Sequence, residues 1–171
     1  MSNLITVLEF IAFRKVSRKQ DEEKVLECIS QAEETDLIKM IGDFYFDVCK
    51  NKGSEEWNDL LNGSEFEYNG EDYIHKGLKR VLADLAYSRY SYGKNINDTS
   101  HGFVFKEYQD GKTIDRNLIK DISAQAIVDA YSKFKFVECY ILSEPDLFSR
   151  YSKNKKGNNS VNFNGNRFSV M

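Results

Sequence analysis

The chain has 171 residues, 41% of them hydrophobic and 30% charged, with a net charge of −3. That is enough sequence for one domain with a real core and too little for two. No apolar run approaches the roughly 20 residues needed to cross a bilayer. The start lacks the basic, apolar, small-residue order of a secretory signal, so synthesis in a reducing cytoplasm without membrane contact is expected.

Leu4 to Phe13 reads as a short helix or an irregular apolar arm. In SRKQDEEKVLECISQAEETD, acids from Asp21 to Glu23 fill a first turn, and Val25, Ile29 and Ala32 follow at helical spacing with Leu26 widening the stripe. Asp36 is the expected N-cap of a next helix that buries Leu37, Ile41, Phe44 and Val48 and stops by Gly53. SEEWNDLLNG predicts a short helix carrying Trp57, Leu60 and Leu61. In EFEYNGEDYI, Asn69-Gly70 is the preferred pair for a two-residue type I′ turn, which sets Phe66 opposite Tyr73 and Tyr68 opposite Glu71 in a small exposed hairpin.

HKGLKRVLADLAYSRYSYG predicts a long helix with Leu78, Val81, Leu82, Leu85 and Tyr92 inward, ended by Gly93 and NINDTSHG. Phe103 and Phe105 alternate as in a strand, and Asp110-Gly111 is a turn signal, so this stretch is a hairpin or an extended loop. The longest helical pattern runs from Asp115 to Leu142, with Leu118, Ile122, Ala126, Tyr131, Phe134, Val137 and Ile141 inward, and Pro145 closes it. The expected fold is mainly α: a bundle of three to four long helices with one or two projecting β-hairpins.

The last twenty residues, 152–171, hold six Asn, two Gly, four basic residues and no acid. They are expected to form an extended C-terminal arm of charge +4, which leaves −7 on an expected helical domain of residues 1–151. Such a composition does not order by itself. In SVNFNGNRFSVM, a turn at Asn164-Gly165 places Val161, Phe163 and Phe168 on one face, and Val170 continues the alternation. A hairpin of that size is marginal in water and is expected to order only against a neighbouring subunit or adjacent ring, by strand addition, with Lys155 and Lys156 on acidic surface.

Catalytic signals are few. His75 and His101 have no acid or Cys at ligand spacing and read as surface residues. There is no phosphate-binding glycine loop, dinucleotide fingerprint or nucleophile elbow. Glu22-Glu23, Glu33-Glu34 and Glu55-Glu56 read as solvated helix faces, because adjacent helical residues diverge by about 100°. Cys28, Cys49 and Cys139 sit in apolar segments and read as buried free thiols. No catalytic, cofactor-binding or metal-binding residue is expected, and no cofactor. The aromatic content, twelve Phe, ten Tyr and one Trp, with Tyr87, Tyr90 and Tyr92 clustered at a helix end, suits a protein buried on several sides.

Three stretches, DEEKVLECISQAEETDLIKMIGDFYFDVC, LLNGSEFEYNGEDYIHKGLKRVLADLAYSRY and DTSHGFVFK, together resemble head–tail connector proteins of tailed bacteriophages, of the type found in crAss-like and related phages of Bacteroidetes. The likeness covers residues 4–106 and, more loosely, the long helix to Phe148. Its most specific feature is the order LLNG, hairpin, GLK, helix, aromatic-rich end, T-x-x-G. The resemblance implies a structural virion protein at the head–tail junction (the neck), repeated as a ring of about twelve copies. Its partners would be further copies of itself, the portal protein and adjacent neck or tail rings, with DNA passing through the lumen without specific binding. The expected subunit or partner contacts are Phe66, Tyr68, Asn69, Gly70 and Tyr73 on the hairpin and Lys155, Lys156, Val161, Phe163, Phe168 and Val170 on the arm. The alternative is a small helical nucleic-acid-binding or regulatory protein that uses its basic C-terminal tail, against which the acidic body weighs.

Overall fold

The apolar N-terminal run becomes helix α1 (Val7–Arg14) because Thr6 and Glu9 cap each other's backbone N–H groups. In the computed structural model, which describes residues 3–17, 21–93, 96–99, 102–105 and 116–151, Asp21 likewise caps α2 (Glu22–Gln31) by accepting from the Lys24 N–H. The buried stripe of α2 is Val25, Cys28 and Ile29. Cys28 fills the place expected for Leu26, which is exposed.

The helix does not end at Asp36. It continues through a π-helical turn (Ala32–Leu37) into α3 (Ile38–Ile41). The wider turn rotates successive side chains differently from an α-helix. Glu33 turns inward, where it is 3% exposed rather than solvated, and Asp36 is half-buried beside Arg89. Gly42, at φ +57°, breaks the run before α4 (Phe44–Asn51). The expected inward residues Leu37, Ile41, Phe44 and Val48 are all buried, but from separate elements. A 3₁₀ turn (Glu55–Trp57) and α5 (Asn58–Asn62) bury Trp57, Leu60 and Leu61 as expected.

Strands β1 (Glu65–Tyr68) and β2 (Glu71–Ile74) pair antiparallel with Phe66 opposite Tyr73 and Tyr68 opposite Glu71, the expected register. Asn69 (φ +54°) and Gly70 (φ +82°) form the turn. A second pair, β3 (Ile96–Thr99) with β4 (Gly102–Phe105), uses INDT as the partner strand. This stretch was expected only to end a helix. The turn signal at Asp110-Gly111 lies outside the described residues, as does His101.

Helices α6 (Leu78–Gly93) and α7 (Arg116–Ser143) pack antiparallel as the central pair, Asp84 lying by Lys133 and Ser88 by Ser123. Fully buried Ala83, Ala86, Ala126 and Ala130 allow close approach. On α7 the inward face is Ile119, Ala126, Ala130, Phe134, Val137 and Ile141. Leu118 and Tyr131, expected inward, lie off this stripe and are exposed. On α6, Tyr90 packs edge-on against Phe10 (5.9 Å between centroids) and Tyr92 is exposed, reversing the expectation.

One continuous core runs from Leu4 to Tyr151. The chain is mainly helical. Among the described residues only α6 and α7 are regular α-helices longer than ten residues, so the first half is assembled from shorter pieces. Cys28 is buried, Cys49 and Cys139 are half-buried, and all three are free thiols. The arm residues Lys155, Lys156, Val161, Phe163, Phe168 and Val170 lie outside the described residues.

Candidate functional site

The LLNG and GLK motifs meet at the base of the first hairpin. Gly63 (φ +100°) and Gly77 (φ +80°) are where segments 61–63 and 75–77 cross backbone against backbone. A Cβ on Gly63 would sit 2.5 Å from the His75 carbonyl oxygen, and one on Gly77 would sit 2.4 Å from that of Leu61. Only glycine satisfies both the left-handed φ and the close approach.

His75, expected at the surface, plugs this crossing at 1% exposure. Its ring stacks on Tyr140 (4.4 Å, 19°) and meets the edge of Phe66 (5.6 Å). The Gly77 N–H donates to Nδ1 (3.3 Å), which puts the ring proton on Nε2, facing Ser64 Oγ at 3.1 Å. A histidine that donates to a serine does not take that serine's proton, so the pair is a structural latch rather than a nucleophile and base. Burial depresses the imidazole pKa to about 4.

The latch fixes the hairpin's pose. Phe66 packs on Tyr140 (5.6 Å) and Tyr73 approaches Phe136 (6.4 Å), so the Phe66–Tyr73 face lies against α7. Tyr140 leads through Phe148 to Phe44, Trp57 and Tyr151, one connected set of rings. Of the expected hairpin contacts, Phe66 thus faces the core, Tyr68 and Tyr73 are half-buried, and Asn69 and Gly70 are exposed at the turn. The opposite face, Glu65, Glu67, Asp72 and Ile74, is open, with Glu67 directly across from Asp72.

At the far end of α6 lies a cleft of about 520 Å³ between the π-turn and α3, the last turns of α6, and the first half of α7. Leu85, Tyr92, Ile127 and Tyr131 give it an apolar lining, the last three 44%, 40% and 47% exposed. Arg89 spans its wall, donating to both Asp36 oxygens (2.7 and 2.9 Å) and to Thr35 Oγ1 (2.6 Å). Lys39 lines the cleft too and is exposed. Neither the cleft nor its Arg89–Asp36 pair is anticipated from the sequence, because the residues come from three well-separated segments, Gln31 to Lys39, Leu85 to Gly93 and Ser123 to Tyr131.

Two buried acids were also missed. Asp84 is held by Arg14 (2.8 Å) and Lys133, tying α1 and α7 to α6, while Arg14 lies over the Tyr87 ring at 4.0 Å. Glu33 accepts from the Leu4 N–H and the Tyr45 hydroxyl, both at 2.9 Å. Burial, then the neighbouring Cys49 and Glu33, hold the Tyr45 phenol above its ordinary pKa and keep it a donor. The sequence signal for Asp84 was an acid inside the otherwise apolar run VLADLA. Among the described residues no group of three or more His, Cys, Asp or Glu is arranged to hold a metal ion, and no helix is long and apolar enough to cross a membrane.

A family model, described as a family of unknown function (DUF6712), matches residues 37–161. No curated protein and no solved structure matches the chain.

Proposed function

The chain belongs to the DUF6712 family, which is described only as one of unknown function, and on its sequence and surface we propose that it is a ring-forming structural subunit of a tailed-phage neck. In this reading it sits below the portal, joins capsid to tail and leaves a channel for DNA. The observation that carries the reading is where large apolar side chains are left uncovered. Leu118, Ile127, Val128, Tyr131 and Phe136 are exposed along α7, which already buries a full face of its own. A helix apolar on more than its inward face is suited to cover from more than one side.

The order of LLNG, hairpin and GLK supplies the class through its likeness to head–tail connectors, and the latch at Gly63, His75 and Gly77 gives that order a physical reason. The charge of −7 on residues 1–151 suits a wall past which DNA slides, since phosphate binding needs the opposite sign. The chain's work in this reading is assembly, with portal and adjacent ring proteins as partners, and no chemistry.

Native mass spectrometry of the purified protein, alone and with portal particles, is the test. Rings, or portal particles carrying bound copies, are expected. A chain that stays monomeric and also leaves portal particles bare overturns the reading. Retardation of duplex DNA by the isolated protein at physiological salt would replace it with a nucleic-acid-binding role for the basic segment 152–171.

A further inference from the structure

We propose that the cleft at the C-terminal end of α6 receives the β1–β2 hairpin of a second copy of this chain. This deepens the ring reading and rests on it for the direction of assembly: a ring needs two unlike surfaces on one subunit that fit each other.

The two surfaces are complementary. The open hairpin face carries Glu65, Glu67 and Asp72 around the exposed apolar Ile74. The cleft offers the exposed apolar side chains of Tyr92, Ile127 and Tyr131, with Lys39 beside them and the Asp36 carboxylate already neutralised by Arg89. Lys39 enters none of the salt bridges among the described residues. The hairpin also carries a local conflict. Glu67 and Asp72 are directly opposed on one face, and like charges in that position destabilise a strand pair. A cation supplied from outside reverses the sign of that contribution, and the same docking covers Ile74, Tyr92, Ile127 and Tyr131.

The geometry makes the contact intermolecular. The hairpin ends just before Leu78 and the cleft residues of α6 begin at Leu85 and run to Gly93. At about 1.5 Å per residue, the cleft begins roughly 10 Å from Leu78 at Leu85 and reaches roughly 20 Å at Tyr92 along the helix. The Phe66–Tyr73 face of the hairpin is taken up by α7, so the open face turns away from its own chain. Backbone crossing at Gly63 and Gly77 and packing of Phe66 on Tyr140 hold the base of the hairpin at the other end of that span. A hairpin that fits the cleft therefore fits a neighbour's. Contact between unlike patches is head-to-tail, which closes into a ring or continues as a filament.

Zero-length carbodiimide cross-linking of a mixture of light and heavy-isotope protein tests this, at concentrations up to about 1 mM so that weak association registers. Mixed-isotope peptides joining Lys39 to Glu67 or Asp72 are expected. Lys39→Glu alone and Glu67→Lys with Asp72→Lys are each expected to weaken self-association at least about tenfold, and one chain carrying all three reversals to recover most of it. All three positions are exposed, and circular dichroism of each variant confirms the fold.

Rings that form without these cross-links, and without response to the reversals, overturn the hairpin–cleft contact and leave the ring reading standing. The cross-links found in a closed dimer keep the contact and overturn the ring. A chain monomeric at every concentration, with and without portal, overturns both.

Discussion

His75 shows how one side chain changes meaning when its surroundings are known. In sequence it is a polar residue beside a hairpin; in the fold it is a buried neutral ring whose pKa is lowered by burial from 6.5 to about 4. Between those values the unfolded chain takes up a proton that the folded chain refuses, so its contribution is full above pH 6.5 and is lost as pH falls toward 4. The loss is about 2 to 3 kcal/mol by pH 4.5. Urea unfolding at about pH 7 and about pH 4.5 measures it. His75→Phe, which keeps a ring on Tyr140, is expected to flatten the dependence in that window, and an unchanged slope would place the acid sensitivity elsewhere. Glu33 and Asp84 carry the same lesson: each is an acid in sequence, and each becomes a buried acceptor only because Leu4 and Tyr45, or Arg14 and Lys133, are brought to it.

Elements with local causes were legible. The acid-rich start of α2, the Asn69-Gly70 register and the end of α6 at Gly93 follow from residues within a few positions of each other, although Asp21 is the N-cap there rather than a first-turn residue. The π-turn was not, because a continuous helix from Glu22 to Ile41 is set by where Glu33 and Asp36 find partners. The glycines of the hairpin separate two mechanisms that look alike in sequence. Gly70 has open space around it, so Gly70→Val adds only the cost of a side chain at positive φ, about 1 to 2 kcal/mol. That variant is expected to keep its helicity by circular dichroism and to lose docking. Gly77→Ala adds the same strain and drives a Cβ into the Leu61 carbonyl, so it is expected to lower stability by more than about 2 kcal/mol in thermal unfolding. A Gly77→Ala protein as stable as the parent would mean that the crossing relaxes freely and is not what fixes the hairpin.

At the scale of the whole molecule, the division into a helical body and a basic arm expected from the sequence leads to an assembly prediction. Deleting residues 152–171 is expected to leave the melting temperature of the body within a few degrees and to reduce ring formation or portal binding in native mass spectrometry. Proton NMR of the free chain is expected to give sharp, random-coil signals for the arm, and dispersed, protected amides there would place it on its own domain. Composition and periodicity alone determined that this is a mainly helical chain with one core, where α6 and α7 run, and how the first hairpin pairs, because capping, turn geometry and apolar spacing act over a few residues. Only the tertiary structure decided which tyrosine of AYSRYSYG is buried, why Leu118 and Tyr131 are left outside, and that Gly63 and Gly77 cross beneath a neutral His75. It also brought Gln31, Arg89 and Ile127 to one cleft. Each of these depends on which face of a helix meets a partner distant in the chain, and that choice is made by packing volume and charge compensation across the whole core, not by neighbours in sequence.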